Sequence, residues 1–382
     1  METGIVLTGG GARAAYQVGV LRGISDMYPD WENPFGVIVG TSAGAINALA
    51  LASGAAMFRH NISHLEGLWS EIAVNRIYKS QTLELFRNMT GVARRLFAGQ
   101  QDGAPVALLN NSPLKAMLQQ ELNFEAVTTA VEDGRLSAVG VNACGYSTGQ
   151  NVCFFQGKES LRSWTVGQRA GARTRLGLDH VMASTAIPTV FPPVRIHREY
   201  FGDGVTRQMA HVSPALRLGA ERVLVIGVSA NSMCPTERPE PPGSPTFSQV
   251  IAQVFNGMFL DTLDYDIDRL RVINRLLSLI PEEQQRQAGL DLRPVELLEI
   301  SPSQPLNAIA DKYLDGIPLV LRNLVGAGGR HHGTASSLAS YLLFDPRFCA
   351  ELISLGYHDA QQHANQINRF FSNPAPPQRP GG

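Results

Sequence analysis

The chain has 382 residues, of which 44% are hydrophobic and 17% charged, and its formal net charge is −1 at pH 7. Disordered chains combine low hydrophobicity with high net charge, so this composition excludes disorder as the general state of the chain. Nonspecific binding to nucleic acid needs a strong excess of positive charge, which the chain lacks, so no nucleic-acid partner is predicted.

Apolar runs and helical patterns alternate over the first 230 residues. Strands are predicted at residues 4–8, 35–39, 137–142, 194–201 and 223–229. Helices are predicted at residues 14–27, from Ala43 onward, at 64–69 and at 112–122. This alternation predicts an α/β fold, a three-layer α/β/α sandwich whose central sheet is mostly parallel.

Residues 34–58 carry no charged side chain, and about 20 apolar residues suffice to cross a bilayer. The character of the stretch changes along its length, however. The β-branched residues Val37, Ile38 and Val39 come first, a Gly/Ser cluster follows, and an Ala/Leu-rich run ends it. We therefore predict a strand, a sharp turn and a buried helix, with a membrane span as the alternative.

The composition changes after residue 234. Residues 235–246 are rich in proline and predict an exposed loop. Apolar residues then recur at helical spacing over residues 247–273, which predicts a long amphipathic helix packed on the sheet. A membrane-facing helix is the alternative, and the aspartates on its polar face disfavour anionic lipid.

Four regions follow from these patterns. Residues 1–234 are the predicted α/β core and residues 235–246 the proline-rich loop. Residues 247–371 are a predicted helical C-terminal extension packed on the core. Residues 372–382 contain four prolines and are a predicted disordered tail.

The four cysteines are scattered and form no CxxC pair, which argues against a disulfide scaffold or a zinc site. The first residues lack the basic stretch of a secretory signal peptide. These features predict a cytoplasmic location.

The segment Gly40-Thr41-Ser42-Ala43-Gly44 fits the G-x-S-x-G pattern and lies between a predicted strand and a predicted helix. In a nucleophile elbow, such a turn lifts the serine hydroxyl above the sheet edge, and the glycines let strand and helix approach closely. Ser42 is therefore a candidate nucleophile. A tight strand-to-helix turn without chemistry is the alternative.

Three glycines, Gly9, Gly10 and Gly11, follow the first predicted strand, and Arg13 comes just after them. Glycine amides at a helix N-terminus supply the donors that a developing oxyanion needs, and Arg13 adds a cation. A dinucleotide-binding loop also fits Gly9, Gly11 and Ala14. That motif needs an acidic residue at the end of the second strand, which is missing here.

A nucleophilic serine needs a base. In the α/β-hydrolase order, Asp203 precedes His211 or the pair His331 and His332, but that fold builds several strands before its elbow. The alternative base is Asp203 itself, which lies between two glycines after a strand. A free aspartate has a pKa near 3.9, so it would need burial close to Ser42 to act.

Taken together, four motifs resemble the patatin-like phospholipase family. They are Gly9 to Arg13 with Gly19-Val20-Leu21 downstream, Gly40 to Gly44, Ala183-Ser184 through Pro188 to Pro193, and Asp203-Gly204, in the family's order. The resemblance implies a Ser–Asp dyad, with Ser42 as nucleophile and Asp203 as base. It also implies an oxyanion hole formed by Gly9, Gly10, Gly11 and Arg13, and no metal or cofactor.

The resemblance implies a lipid acyl hydrolase that acts on phospholipids or related acyl esters, with peripheral membrane contact as one possibility. Two positions depart from the family pattern, Ala14 and Val205; a β-branched Val205 would be strained if its φ had to be positive. The apolar stretch from Ile187 to Val194 is a candidate wall for an acyl pocket, with a plain structural turn as the alternative. The rivals are a non-catalytic lipid-binding protein of this fold and a His-dependent esterase. The oligomeric state is not predicted.

Overall fold

The computed structural model describes residues 2–79, 107–229, 257, 261–287, 289, 292–318, 322 and 339–372. The predicted proline-rich loop, most of residues 247–260, His331, His332 and residues 373–382 lie outside this part of the chain. Everything below concerns the described residues.

Ten strands in these residues form one mixed sheet. They are β1 (Thr3–Leu7), β2 (Val37–Thr41), β3 (Ala138–Gly145), β4 (Asn151–Gly157), β5 (Trp164–Val166), β6 (Arg169–Arg173), β7 (Val194–Ile196), β8 (Glu199–Asp203), β9 (Arg222–Ile226) and β10 (Glu296–Ile300). The strand order is β10-β9-β1-β2-β3-β4-β6-β5, and β8 pairs with β3 and with β7. The five strands from β10 to β3 are parallel, and all their apolar residues except the half-buried Leu297 are buried, as is typical of a sheet covered on both faces.

Helices cover both faces of the sheet. They are α1 (Ala15–Met27), α2 (Ala43–Ser53), α3 (Phe58–Ser70), α4 (Val74–Ile77), α5 (Ser112–Glu121), α6 (Phe124–Glu132), α7 (Leu178–Ser184), α8 (Ser213–Arg217), α9 (Asp261–Leu279), α10 (Glu282–Gln287), α11 (Leu306–Ala310), α12 (Pro346–Gln362) and α13 (Ala364–Ser372).

Two apolar clusters show the three layers. Successive side chains of a strand point to opposite faces, and the central strands follow this rule. Ile5, Leu7 and Ile38 belong to the cluster that includes helices α1, α2, α3 and α12. Val6 and Val39 belong to the cluster that includes α8 and α9. The predicted α/β/α sandwich is confirmed.

The C-terminal extension packs against the core. Helix α12 crosses α1 so closely that a Cβ at Gly19 would lie 2.0 Å from the carbonyl oxygen of Ile353. A Cβ at Gly356 would lie 2.2 Å from the carbonyl oxygen of Tyr16. The extension, predicted as helical, also contributes a strand, because β10 pairs with β9 at the edge of the sheet.

The sequence prediction was wrong at one strand. Residues 194–201, predicted as a single strand, belong to a hairpin of β7 and β8. The turn contains His197 at φ 53°, a left-handed conformation that glycine or asparagine would normally signal. Strands β4, β5 and β6 were not predicted.

The uncharged stretch at residues 34–58 contains β2, the Ser42 turn and α2, so the strand-turn-helix prediction is confirmed there. Among the described residues, no helix is both long enough and apolar enough to cross a bilayer.

Candidate active site

Ser42 lies at the sharp turn between β2 and α2. Its backbone has φ 55° and ψ −129°, a strained conformation for a residue other than glycine. The turn is closely packed: a Cβ at Gly44 would lie 2.3 Å from the carbonyl oxygen of Leu7, and one at Gly40 would lie 2.3 Å from that of Gly44. Only glycine fits at these two positions, and the turn has the geometry that a nucleophile elbow requires.

The register of the sheet explains why Ser42 and Asp203 meet, although 161 positions separate them. Strand β2 pairs with β3 up to Thr41 and Asn142. Strand β8 then pairs with the continuing β3, and Asp203 is the partner of Ala143. The last residue of β8 therefore lies beside the turn that follows β2. Across this junction the Ser42 hydroxyl donates a hydrogen bond of 2.6 Å to Asp203 Oδ2.

Asp203 is buried, with 1% of its surface exposed. Its Oδ1 accepts a 3.0 Å hydrogen bond from the amide of Val205, and its own amide donates to the carbonyl of Ala186 at 2.9 Å. Burial raises the pKa of Asp203 to about 7, although the hydrogen bonds from Ser42 and Val205 act in the opposite direction. The carboxyl group is thus poised to exchange a proton near neutral pH.

Val205 and Ala14, the two residues that depart from the family pattern, do not strain the backbone where they lie. Val205 belongs to the 3₁₀ turn Gly204–Arg207 and does not have a positive φ. Its side chain packs against the glycine loop, since a Cβ at Gly9 would lie 2.4 Å from Val205 Cγ2. Ala14 ends the 3₁₀ turn before α1 and is fully buried.

Ser184, the last residue of α7, holds the nucleophile turn in place. Its hydroxyl accepts a 2.8 Å hydrogen bond from the Ser42 amide and donates a 2.6 Å bond to the carbonyl of Asn142. It thereby ties the turn to β3. The motif around Ala183 marked this region in the sequence, but nothing in the sequence indicated this role for the hydroxyl.

The glycine loop lies against the nucleophile turn. A Cβ at Gly9 would lie 3.0 Å from the Cβ of Ser42, so the two backbones are adjacent. Gly11 has φ 55° and lines the same pocket as Ser42. Gly10 packs against Val228.

The Arg13 guanidinium is buried, and its described contacts go to the C-terminal extension. It donates to the Ser340 hydroxyl at 2.8 Å and lies over the ring of Tyr341, 4.1 Å from the ring centre. Burial lowers the pKa of Arg13.

An apolar pocket opens from Ser42. Its volume is about 30 Å³, so it is narrow in this conformation. Ile187 and Phe191 line it, as predicted for the stretch from Ile187 to Val194. Its other walls were not predicted. They come from α2, α3, α5 and the C-terminal extension, and include Ile46, Leu68, Trp69, Leu114, Met117 and Phe344.

His211, the candidate base of the α/β-hydrolase alternative, bonds elsewhere. Its Nε2 lies 2.9 Å from the hydroxyl of Thr262 on α9, and burial lowers its pKa to about 4. The acceptor of the Ser42 hydroxyl is Asp203. His331 and His332 lie outside the described residues.

Comparison with solved structures finds distant likenesses. VipD from Legionella pneumophila matches at 13% identity and a TM-score of 0.38, covering 96% of this chain and 67% of that one. Human GIVD cytosolic phospholipase A2 in complex with methyl gamma-linolenyl fluorophosphonate matches at 13% identity and a TM-score of 0.42, and its complex that also contains terbium chloride at 15% and 0.43. Each match covers 97% of this chain, and this chain spans 59% of the length of each human chain. At TM-scores this low, the likenesses carry no argument about this chain.

No curated protein sequence matches this chain. A family model does: residues 5–216, more than half of the chain, match Patatin, described as patatin-like phospholipase. This match contains Ser42, Asp203 and the glycine loop. The family implies lipid acyl hydrolase activity and lipid ester substrates. The chain belongs to the patatin-like phospholipase family.

Proposed function

We propose that the chain hydrolyses carboxylic ester bonds of phospholipids or related acyl lipids through a dyad of Ser42 and Asp203. One observation carries this proposal. A buried serine hydroxyl donates a 2.6 Å hydrogen bond to a buried carboxylate at the inner end of an apolar pocket. This is the arrangement expected of a nucleophile and its base.

In the first step, Asp203 takes the proton of Ser42 while the serine oxygen attacks the ester carbonyl carbon. An ordinary aspartate is too weak a base at neutral pH. A pKa of about 7 brings Asp203 into the range where a general base is most effective, because about half of it is then ionised at pH 7 and the ionised form still binds a proton well.

The negative charge that develops on the carbonyl oxygen needs donors. The amides of Gly9, Gly10 and Gly11 are the proposed oxyanion hole. Support comes from Gly9, whose backbone abuts Ser42, and from Gly11, which lines the pocket with Ser42. Arg13 lies one turn further along, and we propose that its buried charge favours the oxyanion from there rather than by contact.

When the tetrahedral intermediate collapses, the carbon–oxygen bond to the leaving alcohol or lysolipid breaks, and Asp203 returns its proton to the departing oxygen. The acyl group stays on Ser42 as an ester. A water molecule then attacks this ester, Asp203 takes a proton from the water, and the fatty acid leaves as the Ser42 hydroxyl re-forms.

The apolar pocket supports an acyl chain as the part of the substrate bound beside Ser42. Aromatic and aliphatic side chains line it, and such walls stabilise a hydrocarbon by removing its surface from water. The lining residues that the structure describes include no charged group that would select a lipid headgroup.

The test compares wild type, Ser42→Ala and Asp203→Asn on phospholipids, lysolipids, triglycerides and short p-nitrophenyl esters. We expect both variants to lose about a thousandfold or more of kcat. A fluorophosphonate probe is expected to label wild type at Ser42 and to leave Ser42→Ala unlabelled. Absent labelling and hydrolysis in folded wild type would favour a non-catalytic lipid-binding protein.

Histidine variants separate the dyad from a His-dependent esterase. The dyad predicts that His211→Ala, His331→Ala and His332→Ala each keep esterase activity, provided that thermal melting shows the variant folded. Loss of activity in a folded histidine variant, together with activity in Asp203→Asn, would overturn the assignment of the base.

A further inference from the structure

A second, more open cleft lies on the other face of the sheet, between α8, α9 and the segment that leads into β10. Its volume is about 330 Å³. It shares no lining residue with the apolar pocket at Ser42. The proposed hydrolysis does not use it.

Positive charge is concentrated in this cleft, although the chain as a whole has a net charge of −1. Its described lining includes four arginines, Arg169, Arg217, Arg269 and Arg293, and one acidic residue, Asp266. Such clusters attract anions, because neighbouring cations add their potentials in a cleft with low-dielectric walls.

Two of these arginines have spare donors. Within the described residues, the side chains of Arg217 and Arg269 are exposed and make no hydrogen bond or ion pair. Arg293 pairs with Glu221 at 3.3 Å, and Arg169 donates to the Ser213 hydroxyl at 3.1 Å. The guanidinium groups of Arg217 and Arg269 are therefore available to a ligand.

Asp266 offsets part of this charge, since Arg269 and Arg169 both lie near enough to interact with it. Its Oδ2 points inward and accepts a 3.0 Å hydrogen bond from the amide of Val212. Burial raises the pKa of Asp266, and the nearby charges of Arg269 and Arg169 oppose this shift.

Apolar side chains form the rest of the cleft. Leu216 from α8, Leu270 and Ile273 from α9, and Val295 before β10 line it together with the arginines. A purely ionic ligand would leave this surface in contact with water. A ligand with an anionic head and an apolar chain would cover it.

A buried glutamine provides an independent observation. A small cavity of about 10 Å³, room for about one water-sized group, adjoins the cleft, and both are lined by Arg169, Ala210 and Ser213. Gln208 lines this cavity with only 2% of its surface exposed, and neither its amide nitrogen nor its amide oxygen has a hydrogen-bond partner among the described residues. A buried amide without partners costs about 1–3 kcal/mol, so a polar ligand atom at this end would be favoured.

We propose that this cleft binds a phosphate monoester that carries an apolar chain, with Arg217 and Arg269 on the phosphate oxygens. A phosphate monoester carries nearly two negative charges at neutral pH and presents oxygens that match the planar guanidinium fork. Gln208, at the inner end, comes directly after the 3₁₀ turn Gly204–Arg207, and Asp203 comes directly before that turn. This site does not require Ser42 to react, so its test is independent of the test of the proposed hydrolysis.

Isothermal titration calorimetry on the full chain with Ser42→Ala tests the proposal. Dodecyl phosphate below its micelle concentration, inorganic phosphate and neutral dodecyl maltoside are the three probes. We expect dodecyl phosphate to bind, inorganic phosphate to bind at least tenfold more weakly, and dodecyl maltoside not to bind measurably. Equal binding of the phosphate and maltoside amphiphiles, or of dodecyl phosphate and inorganic phosphate, would overturn it.

Variants locate the binding. Arg217→Ala combined with Arg269→Ala is expected to weaken dodecyl phosphate at least tenfold. Arg275→Ala is the control, because Arg275 is exposed on α9, the helix of Arg269, and does not line the cleft. It should change the affinity less than twofold. Equal affinity of the double variant and the control, with both folded by circular dichroism, would refute the assigned site.

Gln208→Met tests the inner end. The apolar side chain has a similar size and removes two unpartnered buried atoms, so the free protein should melt at a higher temperature. We expect the dodecyl phosphate affinity to fall severalfold. Unchanged affinity would show that Gln208 does not contact the ligand and would overturn that part of the site.

Discussion

The two halves of the candidate active site are built in different ways. The Ser42–Asp203 half depends on sheet register, since β2 ends where β8 takes its place beside β3. The other half, the glycine loop and the pocket wall, depends on the C-terminal extension. Arg13 bonds to Ser340, 327 positions away, and Phe344 lines the pocket. The proposed reacting groups, Ser42 and Asp203, are thus positioned by the core, and a distant segment completes their surroundings.

The family match sharpens this contrast, because it ends at residue 216. Ser42, Asp203 and the glycine loop lie inside it, whereas Ser340, Tyr341 and Phe344 lie outside. We therefore expect substitutions in the two halves to have different signatures. Changes at the dyad should abolish the chemical step, and changes in the extension should alter how the loop is held and which acyl chain fits.

Gly11→Ala should have the largest effect, because it disturbs the contact between the glycine loop and the C-terminal extension. Gly11 has φ 55°, and an added Cβ would lie 2.1 Å from the carbonyl oxygen of Tyr341. The left-handed backbone alone costs about 1–2 kcal/mol in a residue with a side chain, and the clash displaces the loop or the extension. We expect kcat/KM for p-nitrophenyl esters to fall about a hundredfold or more, as for a lost oxyanion donor.

Gly134→Ala is the matched control for that change. Gly134 has φ 74°, but an added Cβ would have no atom within 4 Å. It should lose stability through the backbone alone and keep its specific activity. If Gly11→Ala is folded and fully active, the extension does not position the glycine loop, and the contrast between the halves fails.

The pH dependence of wild type tests the dyad half. Since Asp203 must be ionised to act as a base and its pKa is about 7, kcat/KM should fall nearly tenfold per pH unit below 6 and level off above 8. Initial rates with a short p-nitrophenyl ester, corrected for spontaneous hydrolysis, give this profile. A flat profile from pH 5 to 8 would contradict the assigned base.

The Asp203 carboxyl group should also affect the free energy of unfolding, which it lowers as the pH rises, whereas it raises activity. Its pKa is higher in the folded chain, about 7, than the ordinary 3.8, so the folded state holds the proton more tightly. This stabilisation is fully present below pH 4 and is lost as the pH rises towards 7. Asp203→Asn does not titrate, so its stability relative to wild type should increase over that range, by on the order of 1–3 kcal/mol. Denaturant melts at pH 5 and 8 measure the difference.

The fold and the closeness of Ser42 to Asp203 were predictable because their signals are local. Glycines around Ser42, an Asp-Gly after a strand and β-branched runs at the parallel strands each appear within a few residues. The pocket walls formed by Trp69, Met117 and Phe344 have no such signal, since their meeting depends on how distant helices pack. The hairpin at His197 was missed because its left-handed turn residue is neither glycine nor asparagine.

Ser184→Ala should have an intermediate effect within the dyad half. It removes the hydroxyl between the Ser42 amide and the Asn142 carbonyl, and leaving such buried groups unpaired costs about 1–3 kcal/mol. We expect kcat to fall about tenfold with little change in KM, because the elbow loses its support, and the midpoint of the pH profile to stay in place.

Ser25→Ala is the control for Ser184. Ser25 is similarly buried, and its hydroxyl bonds only to the carbonyl of Arg22 one turn away. It should lose some stability and no kcat at a temperature where both variants are folded. If Ser25→Ala and Ser184→Ala lower kcat alike, Ser184 has a merely structural role.

Phe344→Leu should have the smallest effect and should be confined to the extension half. The substitution shortens one apolar wall of the pocket without touching the dyad, so fluorophosphonate labelling of Ser42 should proceed at the wild-type rate. A wider pocket should shift preference towards longer acyl esters by about fivefold, the lower end of the roughly 1–3 kcal/mol that one methylene group contributes to discrimination. The ratio of kcat/KM for p-nitrophenyl decanoate and butyrate measures this shift.

Phe348→Leu is the control. Phe348 is fully buried and does not line the pocket, so this variant should leave the ratio unchanged. Equal shifts in both variants would mean that the extension supports the core without shaping the pocket.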